Sequence, residues 1–206
     1  MIRKALSHLK SIIISIIILT VSSCSFPSYQ YVFETPPVLN FENGTWLVNR
    51  IEATIPGTAK NALNRNMIKE LKKLGGDSVQ FIDDVNFPYL TPDQFKFTPS
   101  ENTFALLQST SGFDFLINTK AIKLRDELDS FRPKGTNIFQ KSKSELIIVI
   151  YEIKTGQKIY SQRIIASESL NENDDSFTFS DSALSLIFKA QKKGLKNIKK
   201  RAIRNK

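Results

Sequence analysis

The chain has 206 residues, and its 29 Lys and Arg against 20 Asp and Glu give a formal net charge of +9. Its one His and one Cys, His8 and Cys24, both lie near the amino terminus. These counts exclude a Cys/His zinc cluster, a Cys–His dyad, a Ser–His–Asp triad and an internal disulfide. The hydrophobic fraction of 41% is that of a globular protein, and the length fits one domain of ordinary size.

The amino-terminal segment has the three parts of an export signal. A basic stretch is followed by an apolar run over residues 12–21, which is too short for a membrane span of about 20 apolar residues. The next segment, Val-Ser-Ser-Cys at 21–24, resembles the bacterial lipobox, in which a signal peptidase cuts before a diacylglyceryl-modified cysteine. We therefore predict a lipoprotein signal over 1–23 and lipidation at Cys24. The alternative is an ordinary cleaved signal with a chance cysteine.

The positive charge is concentrated at the two ends of the chain. Removing the three basic residues of the signal leaves 26 basic residues against 20 acidic ones. Nine of those 26 lie in the last 18 residues, which hold no acidic residue, so the remaining body is slightly acidic. We predict that this basic segment binds an anionic surface, with a solvated helix end as the alternative. The residues assigned to that binding are Lys192, Lys193, Lys196, Lys199, Lys200, Arg201 and Arg204.

After the cleavage site, residues 24–42 contain three prolines among polar and aromatic residues, and they predict an extended, lipidated tether. Residues 43–206 are predicted to form a single domain. Alternating apolar residues over 45–55 indicate its first strand, and a stripe of apolar residues over 58–74 indicates a helix. A short strand is predicted at 79–82. The helical stripe comprises Ala59, Leu63, Met67, Leu71 and Leu74.

The aromatic loop at 83–99 is interrupted by prolines, and its aromatic side chains either bind a partner or cover an edge of the core. Ser100 is the predicted cap of a second, short helix. Three strands follow at 113–124, 146–153 and 158–167, and Gly156 is placed to turn the last two into a hairpin.

The last predicted helix, near residues 181–204, has a continuous apolar face. A polar stretch at 125–143 is long for a hairpin connection, which predicts a mobile or functional loop. The whole order predicts an α/β fold, with a mixed β-sheet that ends in a carboxy-terminal antiparallel meander and is packed by about three helices. The predicted face of the last helix comprises Leu184, Phe188, Gln191, Leu195, Ile198 and Ala202.

This order resembles a group of bacterial envelope lipoproteins and periplasmic domains. The matching segments are the helix and strand at 67–82, the sequence GFDFLI at 112–117, the sequence IVIYEIKTG at 148–156, and the closing helix. The group comprises the curli-secretion lipoproteins, the amino-terminal domain of TolB and the lipoprotein activators of penicillin-binding proteins. Its functions range from pore formation to enzyme activation and protein docking, so the resemblance implies a fold and an envelope location. Only the lipidated Cys24 carries over as a functional residue.

Candidate catalytic chemistry is sparse. The adjacent carboxylates Asp83-Asp84 and Asp174-Asp175 fall in predicted loops without a histidine or a nucleophile motif, and turn or cap roles are expected of them. Two or more of Asp83, Asp84, Asp114 and Asp174 would have to share a pocket for a hydrolase to be credible. Oxygen ligands at 171–175 would suit Ca²⁺, although their spacing is not that of an EF-hand.

We therefore expect a protein that is not an enzyme, without cofactor or metal. The leading hypothesis is a lipid-anchored protein of the bacterial cell envelope that faces the periplasm and docks an envelope protein partner as a scaffold module. Its anchor is Cys24, with the outer membrane favoured over the inner, and its basic helix contacts anionic lipid. The export signal argues against nucleic acid as a partner. The alternatives are a periplasmic carrier of a lipid or small molecule, and a carboxylate- or metal-dependent hydrolase.

Overall fold

The computed structural model describes residues 27–35, 38–87, 94–126, 140–170 and 181–202. Several residues on which the sequence analysis rests lie outside this set. They are the export signal, Cys24, the acidic stretch 171–175, most of the polar stretch 125–143, and Arg204. No helix in the described part of the chain is long and apolar enough to cross a membrane.

One mixed sheet of seven strands organises the described residues, and with three helices it confirms the predicted fold class. The sheet order is β1-β7-β6-β5-β2-β4, and β3 also pairs with β5. In chain order the strands are β1 (Ser28–Thr35), β2 (Trp46–Val48), β3 (Glu52–Ala53), β4 (Val79–Phe81), β5 (Phe115–Asp126), β6 (Gln140–Glu152) and β7 (Lys158–Leu170). The helices are α1 (Gly57–Gly75), α2 (Glu101–Thr110) and α3 (Ala183–Arg201).

The antiparallel meander β5–β6–β7 is the predicted one, and its strands are longer than the apolar runs alone indicated. Gly156 turns the β6–β7 hairpin at φ +67°, a conformation that favours glycine. Polar residues extend β6 backwards to Gln140, where Ser142 and Ser144 are buried. Burial of these small polar residues explains why the apolar pattern placed the start of β6 too late.

The single strand predicted at 45–55 is divided into β2 and β3. Between them, Asn49 Nδ2 donates to the Phe95 carbonyl at 2.9 Å, and Asn49 Oδ1 accepts from the Arg50 N–H at 2.7 Å. The Ile51 N–H donates to Asn64 Oδ1 at 2.9 Å. The side-chain oxygens of Asn49 and Asn64 therefore accept hydrogen bonds from backbone N–H groups that would pair with a neighbouring strand if the strand were continuous.

The edge strand β1 lies within the segment predicted to be a tether. It pairs antiparallel with β7, from Ser28 opposite Ser167 to Thr35 opposite Ser161. The prolines on which the tether prediction rested flank this strand, which is where prolines are tolerated around a strand. The extended segment before the domain is therefore shorter than the sequence indicated.

The three helices cover both faces of the sheet. The larger core lies between the sheet and α1 with α3, and it includes Trp46, Leu63, Ile148 and Tyr160. The smaller core lies on the other face, where Leu47 and Leu116 meet Leu107 of α2. Successive residues of β2 and of β5 enter opposite cores, as the two-residue period of a strand requires.

The buried face of α3 is broader than predicted and is rotated relative to the predicted stripe. Gln191, Leu195 and Ile198 are buried as expected, whereas Leu184 and Phe188 are only partly buried. The centre of the buried face is formed by residues that the stripe omitted, because α3 packs on the sheet as well as beside α1. They are Ala183, Leu186, Ile187, Ala190 and Gly194.

Candidate functional site

Two buried glutamines fix the position of α3. Gln162 of β7 is fully buried and donates from Nε2 to the Gly194 carbonyl at 3.0 Å. Gln191 of α3 donates from Nε2 to the Leu63 carbonyl of α1 at 2.8 Å. Each hydrogen bond satisfies a polar group inside the core, where an unpaired amide would cost about 1–3 kcal/mol. The sheet, α3 and α1 are thereby held in one fixed arrangement.

A surface groove of about 980 Å³ follows the line between α1 and α3, and we call it the α1–α3 groove. Its apolar floor consists of Leu74, Phe188, Leu195 and Ala202. Asn66 and Gln191 contribute amides, and the remaining lining residues are charged. These are Lys69, Glu70, Lys189, Lys192, Lys196, Lys199 and Lys200.

The charges on the groove are strongly unbalanced. Glu70, its one carboxylate, accepts a hydrogen bond from Lys73, and this bond lowers the pKa of the Glu70 carboxyl. Of the six lysines, Lys189 forms a salt bridge with Asp181. The other five take part in no salt bridge within the described residues. The groove therefore presents uncompensated positive charge above an apolar floor.

The predicted basic set is divided between two sides of α3. Lys193 lies over the Tyr29 ring at 5.0 Å, and Arg201 lies over the Phe33 ring at 4.4 Å. Both contacts are with β1, so these two cations face away from the groove. Those that line the α1–α3 groove are Lys192, Lys196, Lys199 and Lys200.

Sequence reasoning missed the α1 side of the groove. Lys69 and Leu74 lie at least 114 residues before the α3 residues that line the same groove, and no local pattern connects them. A signal for the floor was nevertheless present, because Phe188, Leu195 and Ala202 are spaced seven residues apart. A seven-residue spacing is the spacing of a helix–helix seam.

A second groove of about 690 Å³ lies along β3 and β5. Two carboxylates partly compensate its four cations: Lys120 pairs with Glu52 at 2.5 Å and Lys123 pairs with Asp126 at 2.9 Å. Asp126 also accepts the Ala183 N–H at the start of α3 at 2.7 Å. These charged groups connect neighbouring elements of the fold, and the excess of cations over carboxylates is smaller here than in the α1–α3 groove.

The candidate carboxylates have structural partners. Asp83 pairs with Arg50 at 2.6 Å. Asp114 Oδ2 accepts from the Thr45 N–H at 2.8 Å and from the Thr45 hydroxyl at 3.0 Å. Neither residue, nor Asp84, lines the two grooves. Within the described ranges no group of three or more His, Cys, Asp or Glu side chains could hold a metal ion.

The aromatic loop contributes to the smaller core. Phe87 contacts Phe95 with ring centroids 5.4 Å apart and Phe113 with centroids 6.5 Å apart. Of the two interpretations, partner binding and coverage of the core edge, the packing of these described residues favours coverage. Residues 88–93 of this loop lie outside the described residues.

No protein-family model and no curated protein match this chain. Among solved structures, dodecameric PelC from Paraburkholderia phytofirmans aligns with 87% of this chain and 100% of its own, at 9% identity and a TM-score of 0.46. A neuraminyllactose-binding hemagglutinin homolog from Helicobacter pylori aligns with 83% of this chain and 89% of its own, at 13% identity and a TM-score of 0.44. Lipoprotein GNA1162 from Neisseria meningitidis aligns with 75% and 99%, at 14% identity and a TM-score of 0.39.

Bacterial lipoproteins are among the structures that align with this chain, in agreement with its resemblance to bacterial envelope lipoproteins. No specific family is confirmed. All these TM-scores lie below 0.5, and the likenesses carry no argument about function.

Proposed function

We propose that this chain is a non-catalytic, lipid-anchored docking protein of the bacterial cell envelope, and that it binds its partner in the α1–α3 groove. The observation that carries the proposal is the combination of an apolar floor with five lysines that have no salt bridge in the described part of the chain. Apolar area supplies affinity, and uncompensated charge selects an anionic partner and speeds its approach. The anchor in this proposal is Cys24, and the domain faces the periplasm.

The shape of the groove fits an acidic amphipathic helix of an envelope protein. The floor residues Phe188, Leu195 and Ala202 recur every seven residues, and from the first to the last the helix rises about 21 Å. A partner helix of about four turns could place an apolar seam on these residues and pack beside α1 and α3 as a third helix. Acidic residues on both sides of that seam would then meet Lys69 on one wall and Lys192 on the other.

The partners of the candidate carboxylates support a role without catalysis. Asp83 is neutralised by Arg50, and Asp114 holds the Thr45 backbone and hydroxyl. A carrier of small apolar molecules is less well supported, because the space between the sheet and α3 is occupied by side chains such as Ile148, Ile164 and Ile187, all fully buried. The open, lysine-walled groove favours docking over carriage.

The proposal predicts selective binding of acidic helical peptides. The probe is a synthetic peptide of about three heptads with leucine at the two seam positions and glutamate at the flanking positions. The matched control peptide has lysine at the flanking positions. We expect the acidic peptide to bind at least about tenfold more tightly, and its affinity to fall between about 50 mM and about 500 mM NaCl. Fluorescence anisotropy of the labelled peptide measures both affinities.

Two double variants with equal net charge locate the binding site. Lys192→Glu with Lys196→Glu reverses the charge of one groove wall, and we expect it to lower the affinity for the acidic peptide by about tenfold. Lys72→Glu with Lys154→Glu alters two exposed lysines that do not line the groove, and it should leave the affinity within about twofold. Equal binding of the two peptides, or equal losses in the two variants, would contradict the proposed site.

A further inference from the structure

The position of β1 relative to the proposed anchor limits where the domain can lie. Ser28 is the first residue of β1 and follows Cys24 by four residues. Four residues of extended chain span at most about 14 Å. From Ser28 onwards the chain is paired with β7, so this distance cannot increase unless β1 leaves the sheet. If Cys24 is acylated in a bilayer, the Ser28 end of β1 lies within about 14 Å of it, which is about twice the thickness of a headgroup layer.

The outer side of β1 has the side chains expected at a membrane surface. Tyr31, Val32 and Phe33 are 40%, 49% and 37% exposed, and they are three of the five large apolar side chains exposed in the described residues. Tyr31 and Phe33 share one face of β1 with Tyr29, whereas Val32 points to the other face. The Tyr31 and Phe33 rings stack with centroids 6.4 Å apart. Tyrosine and tryptophan side chains are enriched at the headgroup level because they combine apolar and polar surface, and Tyr31 is of this kind.

Cations line the same strand. Lys193 and Arg201 of α3 lie over the Tyr29 and Phe33 rings, so positive charge and aromatic surface occupy one continuous patch. Glu34, the one acidic residue of β1, forms a salt bridge with Lys158, which also lowers the pKa of the Glu34 carboxyl. The patch therefore carries excess positive charge, and each cation near an anionic bilayer contributes about 1 kcal/mol.

We infer that β1, together with Lys193 and Arg201, rests on a bilayer containing anionic phospholipid, so that the domain lies on the membrane surface. This inference depends on the proposed lipid anchor. Lys193 and Arg201 do not line the α1–α3 groove, which remains open to a partner protein.

A second copy of the chain is the competing occupant, because an edge strand can pair with its own copy. Symmetric pairing through β1 would place two lysine-rich α3 helices next to each other on one face of a continuous sheet. Repulsion between like charges disfavours that arrangement, whereas anionic lipid neutralises the same charges.

A unique thiol on β1 tests the inference in the acylated, full-length mature protein. Cys24 is the one cysteine of the chain, so acylation leaves Tyr31→Cys, which lies between Tyr29 and Phe33 on the same face of β1, as the reactive thiol for an environment-sensitive nitrobenzoxadiazole label. The control position is Glu101→Cys, which is exposed at the start of α2 on the other face of the sheet. The probe membrane is a phosphatidylcholine vesicle with about 30% phosphatidylglycerol, with and without a spin-labelled lipid quencher.

We expect the label at 31 to brighten at least about twofold on these vesicles, and to be quenched by the spin-labelled lipid. The label at 101 should change little. Reversal of the patch charges, by Lys193→Glu with Arg201→Glu, should reduce the brightening.

Vesicle flotation separates the failure of the inference from the failure of the anchor. If the protein floats no better than its Cys24→Ala variant, the proposed anchor is wrong, and the inference fails with it. If the protein floats but both labels stay dark, the anchor stands and the inference is overturned. Brightening at 31 without vesicles, accompanied by a doubled molecular mass, would assign the strand to a second copy and would also overturn it.

Discussion

Tyr160 on β7 is fully buried in the larger core, and its hydroxyl has no hydrogen-bond partner within the described residues. Burial disfavours the charged phenolate and raises the pKa of Tyr160 to about 12, from an ordinary value of 10.0. The folded state therefore keeps a proton at alkaline pH that the unfolded state releases. The contribution of protonated Tyr160 to the free energy of unfolding is therefore fully present below pH 10 and is lost as the pH rises towards 12.

The variant Tyr160→Phe isolates this effect. Between pH 9 and pH 11 the free energy of unfolding of the unchanged protein should fall by about 1.4 kcal/mol more than that of the variant, because one pKa unit is worth about that much. At pH 7 the variant should be at least equally stable, since it removes an unpaired buried hydroxyl. Urea unfolding followed by Trp46 fluorescence measures both values. Parallel loss of stability in the two proteins would exclude the assignment to Tyr160.

Single residues with a local conformational role were predictable from the sequence. Gly156 adopts the positive φ that the hairpin requires, and Ser100 accepts the Thr103 N–H at the start of α2. Asn49 was not predictable, because its acceptor and donor partners include Phe95, far along the chain. Capping and turn chemistry depends on neighbours in sequence, whereas the interruption of a strand depends on contacts that form only in the folded chain.

At the scale of elements, α3 depends on a glycine for its close approach to the sheet. A Cβ atom at Gly194 would lie 3.0 Å from Gln162 Nε2, 3.0 Å from Ile148 Cδ1 and 3.1 Å from Ile164 Cδ1. These neighbours are themselves fully buried, so they have little room to move. Glycine at this position has a lower helix propensity than alanine, but it allows the close packing of α3 on the sheet and the Gln162–Gly194 hydrogen bond.

Gly194→Ala and Gly57→Ala form a matched pair of helical substitutions. Alanine gains up to about 1 kcal/mol of helix propensity at either position. At Gly57, where a Cβ meets no atom within 4 Å, the substitution should be neutral or stabilising. At Gly194 overpacking should outweigh the gain and lower the free energy of unfolding by about 1 kcal/mol or more. Chemical denaturation gives the free energy of unfolding of both variants. If the Gly194→Ala protein is as stable as the Gly57→Ala protein, α3 can move away from the sheet without loss of stability, and the close packing at Gly194 is not required.

The elements that the sequence predicted well are those with a complete local pattern. α1 has an uninterrupted apolar stripe and a glycine stop, and β5, β6 and β7 have apolar cores. β1 escaped prediction because its alternation of Tyr29, Tyr31 and Phe33 lies between prolines that indicate a tether. Its pairing is with residues about 130 positions later, and local patterns contain no information on such contacts.

At the scale of the whole molecule, the predicted basic tail becomes part of two different surfaces of α3. One set of cations lines the α1–α3 groove with an apolar floor, and the other lies on aromatic rings of β1. Sequence reasoning identified the charges but treated them as one surface, since assigning them requires knowledge of what lies on each side of the helix. The division allows a single helix to contact a membrane on one side and a protein on the other.

This arrangement requires β1 to be part of the folded domain, and two soluble fragments test that requirement. A fragment beginning at Pro27 keeps β1, whereas one beginning at Val38 removes it together with the Tyr29 and Phe33 contacts to α3. We expect the shorter fragment to lose at least about 2 kcal/mol of unfolding free energy, because apolar surface of β7 and α3 becomes exposed.

Urea unfolding of the two fragments can be followed through Trp46, which stacks between Phe41 and Phe115 at 4.2 Å from each and is distant in the sheet order from β1. The shorter fragment should also aggregate more readily, since the edge of β7 is then uncovered. Equal stability of the two fragments would mean that β1 adds nothing to the domain. Residues 24–42 would then act as the tether that their prolines indicated, and the domain would be free to stand away from the membrane.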